Sequence, residues 1–212
     1  MIKAVIFDLD HCLLSPHELG ADVLAPVFRA IDEANRGRLT PEVLQGAMDD
    51  FMRAPFDAVA RKHGFPEDVS ARASAAYAGL AVEGPLHGYA DLPVLARLPV
   101  RRYLVTTGFV RLQQSKIDAL GIEPMFSEVH IDAIDRPGRT GKKAMFAGIL
   151  ASGGYAKHEV LVVGDSADSE IAAGNALGLA TVQILRQGVV RCADATYHIA
   201  DLAELEGLLK DR

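Results

Sequence analysis

The chain has 212 residues, half of them apolar and 24% charged, with a formal net charge of −6. This composition excludes a disordered chain. With no concentrated run of Lys or Arg, it also argues against nucleic acid as a partner. Cys12 and Cys192 are too few and too far apart for a disulfide framework or a zinc site, and no apolar run approaches the ~20 residues of a membrane span, so a reduced, cytoplasmic setting away from membranes is expected.

Ile2–Phe7 is an almost continuously apolar run that ends in Asp8-Leu9-Asp10. Carboxylates at these positions do not suit a secretory signal. Strand periodicity turns residues i and i+2 to the same side, so Asp8 and Asp10 can face one point beyond the carboxyl end of a sheet. Two ionised carboxylates ~4 Å apart would repel by roughly 4 kcal/mol at an effective dielectric of 20, which calls for a cation, a shared proton or exposure to solvent. The ordinary alternative is a strand that simply ends in an aspartate turn.

Residues 16–84 carry helical patterns near Pro16–Ala34, Pro41–Met52, Phe56–His63 and Pro66–Leu80, with no convincing strand. Thr40-Pro41-Glu42 is a good helix start, with Thr40 as the cap and proline in the first turn. The segment is too long for a loop, so a helical subdomain inserted after the first strand is expected.

Tyr103–Thr106 is the next strand, running into Thr107-Gly108; a strand exit of this kind offers backbone N–H groups to an anion, although Thr and Gly are common there. Arg111–Leu120 reads as a helix stopped by Gly121, and Val129–Ile131 as a weaker strand. Gly141-Lys142-Lys143 opens the helical pattern Lys142–Ala151; lysines at a helix start oppose the macrodipole, unless they are merely solvated surface charge. Val160–Val163 then runs into Gly164-Asp165-Ser166, followed by Glu170 in the helical pattern Ser169–Leu177. Beside Asp8 and Asp10, Asp165 would complete an oxygen-rich cluster suited to Mg²⁺, whereas alone it reads as a helix cap. Thr181–Leu185 and Tyr197–Ile199 close the series of strands. Apolar runs without alternation, separated by helices, predict a doubly wound parallel α/β sheet.

Taken in order, Asp8-x-Asp10, Thr106, Lys142 and Gly164-Asp165 with Glu170 resemble the four-motif signature of the haloacid dehalogenase superfamily. Lys116-Ile117-Asp118-Ala119-Leu120-Gly121 and Glu170-Ile171-Ala172-Ala173-Gly174 are also similar to its members. The resemblance implies a Rossmann-like α/β core over residues 1–15 and 85–212, with a four-helix C1 cap inserted over residues 16–84. It implies a Mg²⁺-dependent phosphatase acting on a small phosphorylated metabolite. Asp8 would be the nucleophile and Asp10 the general acid and base. Thr106, Thr107, Gly108 and Lys142 would hold the phosphate. Asp8, the backbone carbonyl of Asp10 and Asp165 would bind the metal, with Glu170 acting through water or orienting a ligand.

Three departures from the family pattern stand out. His11 and Cys12 follow Asp10 where Gly or Asn and then Thr are usual, with His11 read as a backbone substitute and Cys12 as packing. Glu170 stands where Asp is common. Lys143 competes with Lys142 for the lysine role, and spacing to Phe146 favours Lys142. Asp10 argues against dehalogenation, and Lys62, the one cap lysine, lacks the context of a Schiff-base former. A phosphosugar mutase or a catalytically idle binding protein are the remaining alternatives. Arg53 is a conceivable substrate contact, though a solvated arginine explains it as well. Neither the substrate nor the oligomeric state can be read from the sequence.

Overall fold

The apolar run of residues 4–7 becomes β1 (Ala4–Phe7), a strand buried at every position. Val5 and Phe7 join one core cluster and Ala4 and Ile6 another, as period-two alternation demands of a strand covered on both faces. A computed structural model describes residues 1–20 and 22–210.

Four helices follow β1: α1 (Ala25–Asn35), α2 (Pro41–Phe51), α3 (Phe56–Lys62) and α4 (Glu67–Gly79). Thr40 caps α2 by accepting from the Val43 backbone N–H. The single helix expected over Pro16–Ala34 is instead a 3₁₀ turn at Pro16–Leu19 followed by a restart at α1, because Gly20 takes φ +75°, outside the helical region.

The remaining chain alternates β2 (Arg101–Gly108), α5 (Val110–Leu120), β3 (Glu128–Ala133), α6 (Gly141–Gly153), β4 (Val160–Gly164), α7 (Ala172–Leu177), β5 (Ala180–Ile184), β6 (Tyr197–Ile199) and α8 (Leu205–Lys210). The strands form one six-stranded sheet in the order β3-β2-β1-β4-β5-β6. All pairings are parallel. This is the Rossmann-like α/β architecture expected, with helices inserted after the first strand. The strand order reverses beside β1, which opens a crevice at the carboxyl ends of β1, β2 and β4. Among the described residues no helix is long and apolar enough to cross a membrane.

The helical segment has its own core, and it is aromatic. Phe51 packs against Phe28, Phe56, Phe65 and Tyr77. Phe109, at the start of α5, enters the same cluster and stacks on Tyr77 with ring centroids 4.9 Å apart. Leu112 from α5 joins it as well.

Candidate active site

Register places the first carboxylates. Phe7 sits opposite both Leu104 of β2 and Val163 of β4. Asp8 therefore leaves the middle of the sheet, with Thr106 on one side and Asp165 on the other, each two residues past Phe7's partner. The Asp8 side chain is buried, and Lys142 Nζ lies 2.5 Å from its Oδ1. Lys142 also donates to Glu170. Lys143, its neighbour, is exposed.

Lys142 reaches this position through an aspartate that the sequence reading passed over. Asp132, buried at the end of β3, accepts from the Gly141 backbone N–H at 3.1 Å and so pins the first turn of α6. Asp132 also receives Thr107 Oγ1 at 3.3 Å and Arg139 Nε at 2.8 Å. Arg139 then reaches Asp57 of α3, 2.7 Å away.

The helix expected over Ser169–Leu177 begins instead with a π turn at Ala167–Ile171, and only then becomes α7. Such turns displace side chains from helical spacing and occur often at functional sites. This one turns Glu170 inward, where it accepts from the Ser166 backbone N–H at 3.2 Å and from Ser169 Oγ at 2.7 Å. A side chain at position 164 would collide with Glu170, so Gly164 is what allows the close approach.

One oxygen from each of Asp8, Asp165 and Glu170 lies within 4.8 Å of the others. Lys142 can offset only one of these negative charges. Burial, and then the charge of Glu170, push the Asp8 carboxyl well above its usual range. The same two causes push Asp165 up to about 7. Burial alone would lower the Lys142 ammonium, but Asp8 and Glu170 outweigh it and hold the lysine charged. Hard carboxylate oxygens with surplus negative charge are a donor set that fits Mg²⁺. Glu170 contributes one of the three clustered oxygens.

Asp10 is held separately. Lys116 Nζ lies 2.9 and 3.0 Å from its two oxygens, and Gln113 Nε2 donates to Oδ2 at 2.9 Å. Burial pushes the Asp10 carboxyl up, but the Lys116 charge and these hydrogen bonds outweigh it and keep the carboxyl below its usual range. Gln113 also reaches the Thr106 hydroxyl. Neither Gln113 nor Lys116 was assigned a role from the sequence, although both are buried. The available signal was two polar residues bordering the apolar stripe of Leu112 and Ile117 on α5.

His11 takes φ 56°, the left-handed region that favours glycine or asparagine, and its ring donates to the Met52 carbonyl at 2.7 Å. Cys12 is fully buried, and its thiol is pushed up by burial and then by Asp8. Arg186 donates to the Cys12 carbonyl at 2.8 and 3.2 Å, forms a two-pronged pair with Asp91, and lies 3.9 Å over the Tyr89 ring. This arrangement fixes the loop after β1.

A cavity of about 920 Å³ lies between the strand ends and the helical segment. Asp8, Asp10, Thr106, Thr107, Gly108, Lys142, Asp165 and Glu170 line its floor, and Leu24, Phe28, Met52 and Pro55 are among the residues of its roof. Arg53 also borders it but donates to the Gly188 carbonyl at 2.8 Å.

A family model described as haloacid dehalogenase-like hydrolase matches residues 2–178. The chain is 28% identical over 202 residues to a glyceraldehyde 3-phosphate phosphatase of Methanopyrus kandleri, covering 88% of this chain and 85% of the relative. It is 29% identical over 131 residues to a pyrimidine 5'-nucleotidase of Escherichia coli, covering 59% of this chain and 56% of that protein. In fold it is similar to a haloacid dehalogenase-like hydrolase from Streptococcus pneumoniae (TM-score 0.71, 16% identity, 98% of each chain). It is also similar to a phosphatase of that fold from Thermococcus onnurineus (TM-score 0.66, 24% identity, 98% of each chain).

Proposed function

The chain belongs to the haloacid dehalogenase-like hydrolases, and from that premise we propose that it is a Mg²⁺-dependent phosphatase using Asp8 as nucleophile on a small phosphorylated metabolite. One observation carries the reading. Asp8 is buried against Lys142, while Asp10, two residues on, is held by a different lysine. Two carboxylates placed in different electrostatic surroundings suit two different roles.

In the first step an Asp8 oxygen attacks phosphorus, the bond to the ester oxygen breaks, and Asp10 gives that oxygen a proton. In the second step Asp10 takes a proton from water, which attacks the aspartyl-phosphate, releases inorganic phosphate and restores Asp8. Held below its usual range, Asp10 is a carboxylate at neutral pH, the form that serves the second step. Donation in the first step requires Asp10 to take up a proton and the Lys116 contact to loosen.

Thr106, with the backbone N–H groups of Thr107 and Gly108, would hold the phosphoryl oxygens, and Lys142 would neutralise charge beside the nucleophile. Asp8, Asp165 and the backbone carbonyl of Asp10 would hold Mg²⁺, with Glu170 close by; when bound it screens the nucleophile's charge from the phosphate. Residues 16–84, as a cap over residues 1–15 and 85–212, would exclude water and select the leaving group.

The relatives act on a triose phosphate and on pyrimidine nucleotides, so both classes belong in the test. Phosphate release from triose phosphates, sugar phosphates, nucleoside monophosphates and an aryl phosphate is measured with Mg²⁺ and with EDTA. Release that requires both Mg²⁺ and Asp8 is expected. Release that persists in Asp8→Asn would overturn the mechanism.

A further inference from the structure

The side chain of Gln113 joins Thr106, Asp10 and Lys116. Gln113 Nε2 lies 2.6 Å from Thr106 Oγ1 and 2.9 Å from Asp10 Oδ2, and Lys116 Nζ lies 2.8 Å from Gln113 Oε1. The orientation of an amide is often ambiguous, because its oxygen and nitrogen ends look alike. Here chemistry settles it. A lysine ammonium only donates, so the amide end facing Lys116 must be the oxygen. The NH₂ end therefore faces Thr106 and Asp10, and the Thr106 oxygen must accept.

A hydroxyl that accepts from one side keeps its own proton for another direction. Among the described residues the Thr106 hydroxyl donates no hydrogen bond, yet Thr106 borders the cavity beside Asp8. Gly108 supports the arrangement, since a Cβ there would lie 2.8 Å from Gln113 Cγ. We propose that Gln113 is a positioning residue: its amide, locked by Lys116, turns the Thr106 hydroxyl proton towards the phosphoryl oxygens of the substrate. Gln113 acts through Thr106 and does not touch the reacting atoms. The proposal rests on the phosphatase reading above.

The test is a double-mutant cycle on kcat/KM with 4-nitrophenyl phosphate. Its leaving group departs without a proton and kcat/KM reports only the steps up to that departure, so neither proton donation by Asp10 nor its later work on water enters the measurement. Thr106→Val keeps the side-chain shape and removes the donor, with an expected loss of ~100-fold. Gln113→Met is expected to cost ~10-fold in the wild-type background and no more than about 2-fold alongside Thr106→Val, because the hydroxyl it orients is already gone.

Gln113→Glu provides the second variant. It preserves shape and the contact with Lys116 but can only accept, so it draws the Thr106 proton to itself and should lose at least as much as Gln113→Met. Thermal melts identify any variant that fails to fold, and either Gln113 variant suffices for the cycle. Equal losses in both backgrounds would make Gln113 merely structural and overturn the proposal alone. Absence of Asp8-dependent release from the wild type would overturn the phosphatase reading and this proposal together.

Discussion

The floor and the roof of the cavity are built on different principles. The floor sets charged groups from strand ends against one another at hydrogen-bond distance: Asp8 on Lys142, Asp10 on Lys116, and Asp132 on the first turn of α6. The roof is a packed aromatic cluster centred on Phe51, and it meets the rest of the chain through Phe109 and Leu112, which enter that cluster, and through polar contacts, among them His11 to Met52 and Arg53 to Gly188. The floor is costly in electrostatic terms, because it buries like charges, whereas the roof is stabilising by burial alone. The sheet therefore carries the buried charge, and the helical segment encloses it with apolar packing.

The sharpest way to break this contrast is Asp8→Asn. Phosphate release should fall by about 10⁴-fold or more, the scale seen when a nucleophile is removed. Melting temperature in EDTA should hold steady or rise, since one buried like charge is gone. Destabilisation instead would mean that the floor is not strained.

Phe56→Ala tests the roof. Phe56 packs between Phe51, Tyr77 and Phe109, and its truncation should cost about 3 kcal/mol in urea unfolding. A much smaller cost would show that the aromatic cluster is loosely packed.

The pH dependence of the metal-free protein sharpens the comparison further. Asp165 rises from 3.8 to about 7 on folding, so between those values the folded state holds a proton that the unfolded state releases. That contribution to stability is complete below the lower value and is lost as pH climbs through the upper one. Asp10 shifts the other way, downward from 3.8, and so acts outside this window. Thermal melts in EDTA should weaken from pH 5 to pH 7.5. Mg²⁺ should restore more stability at the upper end, where its ligands are ionised. A flat profile would remove the carboxylate cluster as its cause.

Lys143→Ala should be the smallest change, with kcat/KM within about 2-fold of wild type, because Lys143 is solvent-facing beside the buried Lys142. A large loss would reassign the lysine.

Legibility in the sequence follows the same division. Asp8 and Asp165 stood out because an apolar strand running into a carboxylate is a local pattern, and parallel register does the rest. Asp132 closes β3 in the same way and was legible by the same rule, but its strand is the less apolar Glu-Val-His-Ile-Asp-Ala. Gln113 and Lys116 were hidden because inward-facing polar residues on a helix look like solvated ones until the opposing carboxylate and hydroxyl are in place. The π turn at Glu170 was also unreadable, since spacing alone suggests a regular helix. His11 was legible only as an exception: its backbone conformation agrees with a glycine-like position, while its contact with Met52 depends on a residue 41 positions away.

Phe109 bears on how portable the helical segment is. Its ring lies flat on Tyr77, yet it belongs to the chain just beyond Thr106-Thr107-Gly108. A transplant of residues 16–84 into a related scaffold would leave Tyr77 without its stacking partner unless the recipient carried an aromatic ring at the matching place. Substitutions at 77 and at 109 are thus tied to one another, and an exchange of this segment between relatives has to carry the residue after Gly108 along with it.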